Sequence, residues 1–319
     1  VIGQTTDHTN DNQVSGISAP DFLCVILGPT ASGKTALGVA LAEQMKGEII
    51  SVDSRQVYRG MDIGTGKDLS SYQHVPYHLI DIREPQDRYD IAQFQTDFHQ
   101  AFSTIVSRGN LPIAVGGTGL YMHTLLLPQP YTQVPVDPKL REELLPLDKT
   151  ILMERLRHYT LPADFKIDYS SHKRLIRAIE ILEQLQSGYT VVYEKPRYRP
   201  LLFGLNPPLV TRRQRISERL AERMNGGLLE EVQGLLNHGL THEDLQYFGL
   251  EYKYSSLYLL GALDKPTFLS RLETEIHRYA KRQMTFFRKM EKDGLNIHWL
   301  EGTDRDACVE EIRWVIKKG

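Results

Sequence analysis

Residues 22 to 35 constrain this chain more than any other stretch. An apolar run, Phe22-Leu23-Cys24-Val25-Ile26-Leu27, has the composition of a buried parallel strand. It is followed by Gly28-Pro29-Thr30-Ala31-Ser32-Gly33-Lys34-Thr35, and then by a helix-like pattern from Lys34 to Met45. The spacing G-x-x-x-x-G-K-[ST] between a strand and a helix is that of a phosphate-binding loop. Glycines let backbone N–H groups converge on a phosphate, and the helix N-terminus adds its dipole. Thr30, Ala31 and Ser32, with Gly28 and Gly33, would form the cradle, and Lys34 would bring a positive charge to the phosphate oxygens. The Thr35 hydroxyl is of the type that Mg²⁺ takes, since that ion prefers oxygen ligands and keeps waters. The motif announces a phosphate or a diphosphate without saying that phosphate is transferred.

The stretch after the first helix reads Glu48-Ile49-Ile50-Ser51-Val52-Asp53, a second strand ending in an acid. Strand, helix, strand implies a right-handed βαβ unit. Open α/β sheets bind ligands beyond the carboxyl ends of their strands, which puts Asp53 beside the phosphate loop. Asp53 can equally cap a helix or stand behind a magnesium ion. Residues 54–67, rich in polar residues and glycine, read as a loop at the site. Val75 to Ile82 reads as a short strand or extended segment, and its lone His78 as structural. Asp90 caps a helix from Ile91 to about Arg108, whose Ile91, Phe94, Phe98, Phe102 and Ile105 recur at helical spacing as core. Leu111 to Tyr121 repeats the logic of strand, glycine turn and helix. Its glycines permit close backbone approach, and Thr118 opens the next helix on the same rim.

The texture changes near Pro128. Two Pro-rich stretches mark a linker, and short helical patterns follow at Lys139–Leu145 and Lys149–His158. Ser170 to Gln186 is amphipathic and carries Lys173, Arg174 and Arg177 in its first turns. Basic residues here alternate with tyrosines, an arrangement that suits either a solvated face or a nucleic-acid strand. The expected organisation is a tail over 1–21, an α/β core over 22–128 and 199–319, and a smaller helical insertion over 129–198. In the second core segment Pro200–Leu205 returns to the sheet, and Thr211 opens an arginine-bearing helix that includes Arg219. Gly226–His238 is amphipathic, a long helix runs from Lys265 to Lys292, and Asn296–Leu300 is a last strand. Asp304 caps the last helix. With 319 residues there is room for about two domains. A formal net charge of −2 gives no global field for nucleic acid, so any such binding has to be local. Cys24 and Cys308 are far apart and suggest neither a disulfide framework nor a zinc site, which fits a reducing cytoplasm. No apolar run is long enough to span a membrane.

Taken together, GPTASGKT, SVDSRQVYRGMDIGTGK, HLIDI, GGTGLY, KRLIRAIEI and AKRQMTFFR resemble the tRNA dimethylallyltransferase family from residue 22 to about 302. The resemblance implies a P-loop NTPase-like α/β fold with a parallel sheet and a helical insertion. It also implies a reaction. A dimethylallyl group passes from dimethylallyl diphosphate to N6 of the adenosine 3′ of the anticodon, and pyrophosphate leaves. Mg²⁺ on Thr35 is the implied cofactor, and the tRNA anticodon stem-loop is the implied partner of a cytoplasmic monomer. Asp53 matches the general base, Thr118 a position near the reacting adenine, and Lys34 a group that steadies the leaving diphosphate. Asp53-Ser54-Arg55-Gln56, Arg141, Lys173, Arg174, Arg177 and Lys281 match positions on the RNA. Three departures stand out. The family shows Thr-Arg-Gln where this chain has Ile276, His277 and Arg278, so Arg278, Lys281 or Arg282 is expected to meet the diphosphate instead. Gly66 stands where alanine is usual. The family's Gly-Tyr-x-Glu is here Gly249-Leu250-Glu251-Tyr252. No eukaryotic zinc finger is present, so the likeness is to the bacterial type. Two alternatives share the loop: an adenylate dimethylallyltransferase acting on free AMP, ADP or ATP, and an ATP-dependent small-molecule kinase.

Overall fold

A computed structural model describes residues 21–128, 131–191, 197–302 and 304–318. The tail expected at 1–21 lies outside them apart from Asp21, as do parts of the Pro-rich linker and the Lys195-Pro196 stretch. The chain divides into two compact units, residues 127–196 and the remainder.

The larger unit begins with β1 (Phe22–Leu27), α1 (Lys34–Met45), β2 (Gly47–Val52), β3 (Tyr77–His78), α2 (Ile91–Ser107), β4 (Leu111–Gly116) and α3 (Gly119–Leu126). The smaller unit holds α4 (Pro138–Leu144), α5 (Lys149–Arg157) and α6 (His172–Gln186). The chain returns as β5 (Arg199–Leu205), α7 (Leu209–Asn225), α8 (Leu228–Asn237), α9 (His242–Tyr247), α10 (Leu250–Leu259), α11 (Lys265–Lys292), β6 (Ile297–Leu300) and α12 (Arg305–Lys318). The six strands form one parallel sheet in the order β3-β2-β4-β1-β5-β6. This is the α/β fold with helices on both faces that the phosphate loop implied.

β1 lies inside the sheet and is buried along its whole length. Successive side chains of a strand point to opposite faces. Leu23, Val25 and Leu27 therefore join one core with Phe94, Phe98, Tyr121 and Phe287. Phe22, Cys24 and Ile26 join a second with Leu37, Leu41, Val309 and Ile312. Covering both faces explains why β1, β2 and β4 read as near-continuous apolar runs. Truncating a fully buried ring such as Phe98 to alanine would cost about 3–5 kcal/mol.

Register sets the site. Leu27 pairs with Gly116, and Val52 pairs with the same glycine from the other side. The segments that follow β1, β2 and β4 thus leave the sheet at one edge. Gly116 is required there, because a Cβ at that position would lie 2.1 Å from the Val52 carbonyl oxygen.

The short strand expected within residues 75–82 is β3, with two ladder residues, since Leu79 and Asp81 adopt positive φ angles of 64° and 55° and turn the chain away. Two other local readings are corrected. The helix expected to open at Thr211 starts at Leu209, behind Pro208, and Thr211 lies in its first turn. No helix follows Asp53, so it caps none. Asp90, by contrast, forms a capping box with Gln93, and the Asp304 carboxylate accepts from the Ala307 N–H at 2.7 Å. His78 is structural, as expected, bound at 2.7 Å to buried Glu48. Burial would raise the Glu48 carboxyl, but hydrogen bonds from His78, Asn110 and Arg108 hold it below the usual range.

Candidate active site

The phosphate loop closes on itself. The Lys34 ammonium donates to the Pro29 carbonyl at 2.8 Å, and Lys34 is half-buried at the start of α1. Its pKa falls to about 7, driven by burial and by the Arg219 guanidinium, with Asp53 opposing. At the end of β2, one Asp53 carboxylate oxygen accepts from the Arg55 N–H at 2.8 Å. At the end of β4, the Thr118 hydroxyl accepts from the Ser54 N–H at 3.3 Å, and the Thr118 N–H donates to the Val52 carbonyl at 3.4 Å. An acid and a hydroxyl from neighbouring strand ends are thereby fixed relative to each other.

The loop after Asp53 is held by buried charge. Lys67 is 1 % exposed and donates to the Tyr58 carbonyl and the Asp62 carboxylate, both at 2.6 Å, and to Asp81. From α8, the Glu231 carboxylate accepts the N–H groups of Asp62, Ile63 and Gly64 at 2.8, 2.7 and 3.0 Å. Tyr252 donates its hydroxyl to the same carboxylate at 2.7 Å. Gln56 donates to the Gly66 carbonyl at 3.1 Å and accepts from Ser51 at 2.9 Å. An unpaired charge would not be tolerated in such surroundings, so these partners specify the loop's path.

The segments enclose a cavity of about 290 Å³. Thr30, Lys34, Thr35, Asp53, Ser54, Arg55, Gln56 and Gly117 line it from the sheet edge, and Arg219 and Arg223 from α7. Arg219 donates to the Gly66 carbonyl at 3.2 Å and to Asp68 at 2.9 Å, while Arg223 pairs with Glu251 at 2.5 Å. Burial, then Arg223, lower the Arg219 pKa against the pull of Asp68, Glu251 and Asp53. It stays cationic all the same, because a guanidinium cannot be deprotonated in a protein. Gly66, at φ +63°, explains how both arginines arrive. A Cβ there would lie 2.0 Å from a guanidinium nitrogen of Arg223 and 2.2 Å from one of Arg219. Four basic side chains, Lys34, Arg55, Arg219 and Arg223, thus face a cavity that also holds Asp53, a setting for a multiply charged anion beside a proton acceptor.

Arg219 and Arg223 have no functional role in the sequence reading. The available signal is their spacing with Arg215, i, i+4 and i+8 on one face of α7. The basic residues expected on α11 lie elsewhere. Arg278 and Arg282 do not line the cavity. Both are exposed, with Arg278 bound to Glu275 at 2.5 Å and Arg282 4.0 Å from the same carboxylate. The inward face of α11 at this level is Ile276, Tyr279 and Gln283, so the cations fall on the other side. Lys281 is exposed and lines a separate recess with Arg212 and Arg288.

A family model described as IPP transferase matches residues 56–290, and one described as isopentenyl transferase matches residues 22–74. The chain is 49 % identical over 280 residues to tRNA dimethylallyltransferase 2 of Syntrophotalea carbinolica, covering 88 % of this chain and 94 % of the relative. The structure is similar to the full-length tRNA isopentenylpyrophosphate transferase from Bacillus halodurans, with a TM-score of 0.68 and 32 % identity over 93 % of this chain and 96 % of that one. A tRNA Δ(2)-isopentenylpyrophosphate transferase from Staphylococcus epidermidis gives 0.67 and 32 %, covering 93 % and 99 %. The chain belongs to the tRNA dimethylallyltransferase family.

For a tRNA dimethylallyltransferase, the residues expected on RNA in the smaller unit divide into two kinds. Arg141 forms two 2.7 Å bonds to the Glu180 carboxylate, which is fully buried. Arg177 donates to the Val134 carbonyl at 2.6 Å and to Glu180 at 3.3 Å. Both guanidiniums are committed inside the unit. Arg174 is exposed and paired with Asp168, and Lys173 is exposed with no ion pair among the described residues. Among the described residues no helix is long and apolar enough to cross a membrane, and no group of three or more His, Cys, Asp or Glu could hold a metal ion.

Proposed function

We propose that the cavity transfers a dimethylallyl group from dimethylallyl diphosphate to N6 of the adenosine 3′ of the anticodon of tRNA, releasing pyrophosphate. One observation carries the reading. Asp53 and Thr118 share the sheet edge with a phosphate loop, and Asp53 lines a cavity that Lys34, Arg219 and Arg223 also face. The N–H groups of the loop, Lys34 and the two arginines hold the diphosphate and take up charge as the C1–O bond breaks. The adenine N6 forms the new bond to C1, and Asp53 accepts the amine proton. One Asp53 oxygen is engaged by the Arg55 N–H, which leaves the other for that proton. An exocyclic amine is a weak nucleophile, so placement counts for more than basicity. The base has to leave its stack to enter a pocket of this size.

The Thr35 hydroxyl suits Mg²⁺, which completes its shell with waters and phosphate oxygens. Bound there, the ion would neutralise charge on the leaving diphosphate. Lys173 and Arg174, both exposed on the smaller unit, would meet the RNA backbone.

The test is transfer from labelled dimethylallyl diphosphate with Mg²⁺ to three acceptors: an anticodon stem-loop with adenosine 3′ of the anticodon, the same stem-loop with that base changed, and free AMP. Label on the first RNA alone is expected. Label on AMP would make the enzyme a free-adenylate prenyltransferase and overturn the tRNA reading.

A further inference from the structure

Gln283 lies on α11, is 7 % exposed, and makes two hydrogen bonds that reach different walls of the cavity. Its side-chain oxygen accepts from the Thr30 N–H of the phosphate loop at 2.8 Å. Its side-chain nitrogen donates to the Gly117 carbonyl, next to Thr118, at 2.9 Å. The two bonds fix the amide orientation, because an N–H needs the oxygen and a carbonyl needs the nitrogen. Among the described residues no other side chain hydrogen-bonds both segments. Packing is close as well, since a Cβ on Gly117 would lie 2.4 Å from the Gln283 nitrogen.

We infer that Gln283 is a positioning residue that sets the distance between the diphosphate cradle and the acceptor wall formed by Asp53, Ser54 and Gly117, with Thr118 next in the chain. The acceptor wall is already internally tied by the bonds of Ser54 to Thr118 and Arg55 to Asp53. The cradle is tied by Lys34 to Pro29. Each wall holds its own shape, and the Gln283 amide joins them. Transfer needs C1 of the donor and N6 of the acceptor at near-attack distance, and a misplacement of about 1 Å costs on the order of 100-fold in rate. The clamp therefore acts on the transfer step and leaves the affinity of either substrate largely alone. It also commits the Thr30 N–H to Gln283, so the remaining N–H groups of the loop serve the diphosphate.

The inference rests on the prenyl-transfer reading, which wild-type activity on the stem-loop tests separately. Only the ratio of variant to wild type tests the clamp. Gln283→Met keeps the volume and loses both bonds. Gln283→Glu keeps the acceptor for Thr30 and loses the donor to Gly117, and serves as the second variant if the first does not fold. Single-turnover transfer is measured with saturating dimethylallyl diphosphate and stem-loop, together with the dissociation constant of each. A rate constant lowered about 30-fold in the Met variant, with both dissociation constants within about threefold of wild type, is expected. A rate constant reduced in the Glu variant is expected too. A merely structural role would lower the amplitude, by reducing the folded fraction, and leave the rate constant unchanged. That result, or a loss confined to the binding of one substrate, would overturn the assignment.

Discussion

The cavity and the helical unit use arginine in opposite ways. Arg219 and Arg223 reach the cavity from α7 and line it, with Gly66 making room for both. Arg141 and Arg177 lie in a stretch that reads as more basic, yet their guanidiniums close on Glu180, buried among Leu175, Ile176, Ile179 and Leu182. The difference lies in where the carboxylate is. In the cavity Asp53 and Glu251 line the same space as the arginines, and Asp68, the partner of Arg219, is half exposed, so a phosphate can compete with them. In the helical unit the acid is inside, and removing an arginine from it leaves a buried charge unpaired. Positive charge in a sequence is therefore a count, and its use depends on the depth of the nearest acid.

The largest effect is expected at the proton acceptor. Asp53→Ala should lower transfer about 1,000-fold, within the range of general-base losses, with tRNA affinity nearly unchanged in a filter-binding or fluorescence titration. An equal loss of binding would make Asp53 a scaffold residue. Next, Arg219→Ala should lower kcat/KM for the diphosphate donor about 100-fold, whereas Arg278→Ala and Arg282→Ala should each stay within about threefold, as expected for exposed surface pairs. A large loss at Arg278 would break the comparison.

The third experiment concerns the helical unit. Glu180→Ala should lower its stability by about 3 kcal/mol, read by urea unfolding, because two guanidiniums lose their buried partner. Arg141→Ala should also act on stability and leave the salt dependence of tRNA binding in place. If Arg141→Ala instead flattens that dependence, Arg141 grips RNA after all.

The fourth concerns protons. Burial and Arg219 hold Lys34 near a pKa of about 7, with Asp53 pulling the other way. A bound diphosphate favours the ammonium and raises that pKa. At pH 8 the free lysine is mostly neutral, so donor binding should take up about one proton from solution, and below pH 6 almost none. Calorimetry in two buffers of different ionisation enthalpy measures this, and Lys34→Met should remove it. The smallest effect is expected at Lys173→Ala with Arg174→Ala. It should weaken tRNA binding several-fold and lower the slope of log affinity against log salt by about 1 to 2. An unchanged slope would take this face off the RNA.

Much of this architecture is readable from local pattern. The phosphate loop, the acid after β2 and the glycine turn after β4 each announce themselves over fewer than a dozen residues, and parallel topology brings their ends together. Arg219 and Gln283 are not readable in that way. Their roles depend on α7 and α11 crossing to the carboxyl edge, contacts more than 150 residues long in sequence. Arg278 and Arg282 mislead for the same reason, since charge says nothing about which face of α11 meets the cavity. Glu180 did leave a trace. An acid between Ile179 and Ile181, four residues after Ile176, falls on the apolar stripe of its helix.

Lys67 has a practical consequence. Its ammonium is sealed beneath the loop that follows Asp53, so an amine-reactive reagent can reach it only when that loop opens. The labelling rate of Lys67, followed by mass spectrometry against the exposed Lys173, is thus a built-in clock for the opening of that loop. A ligand that holds the loop shut will slow the clock.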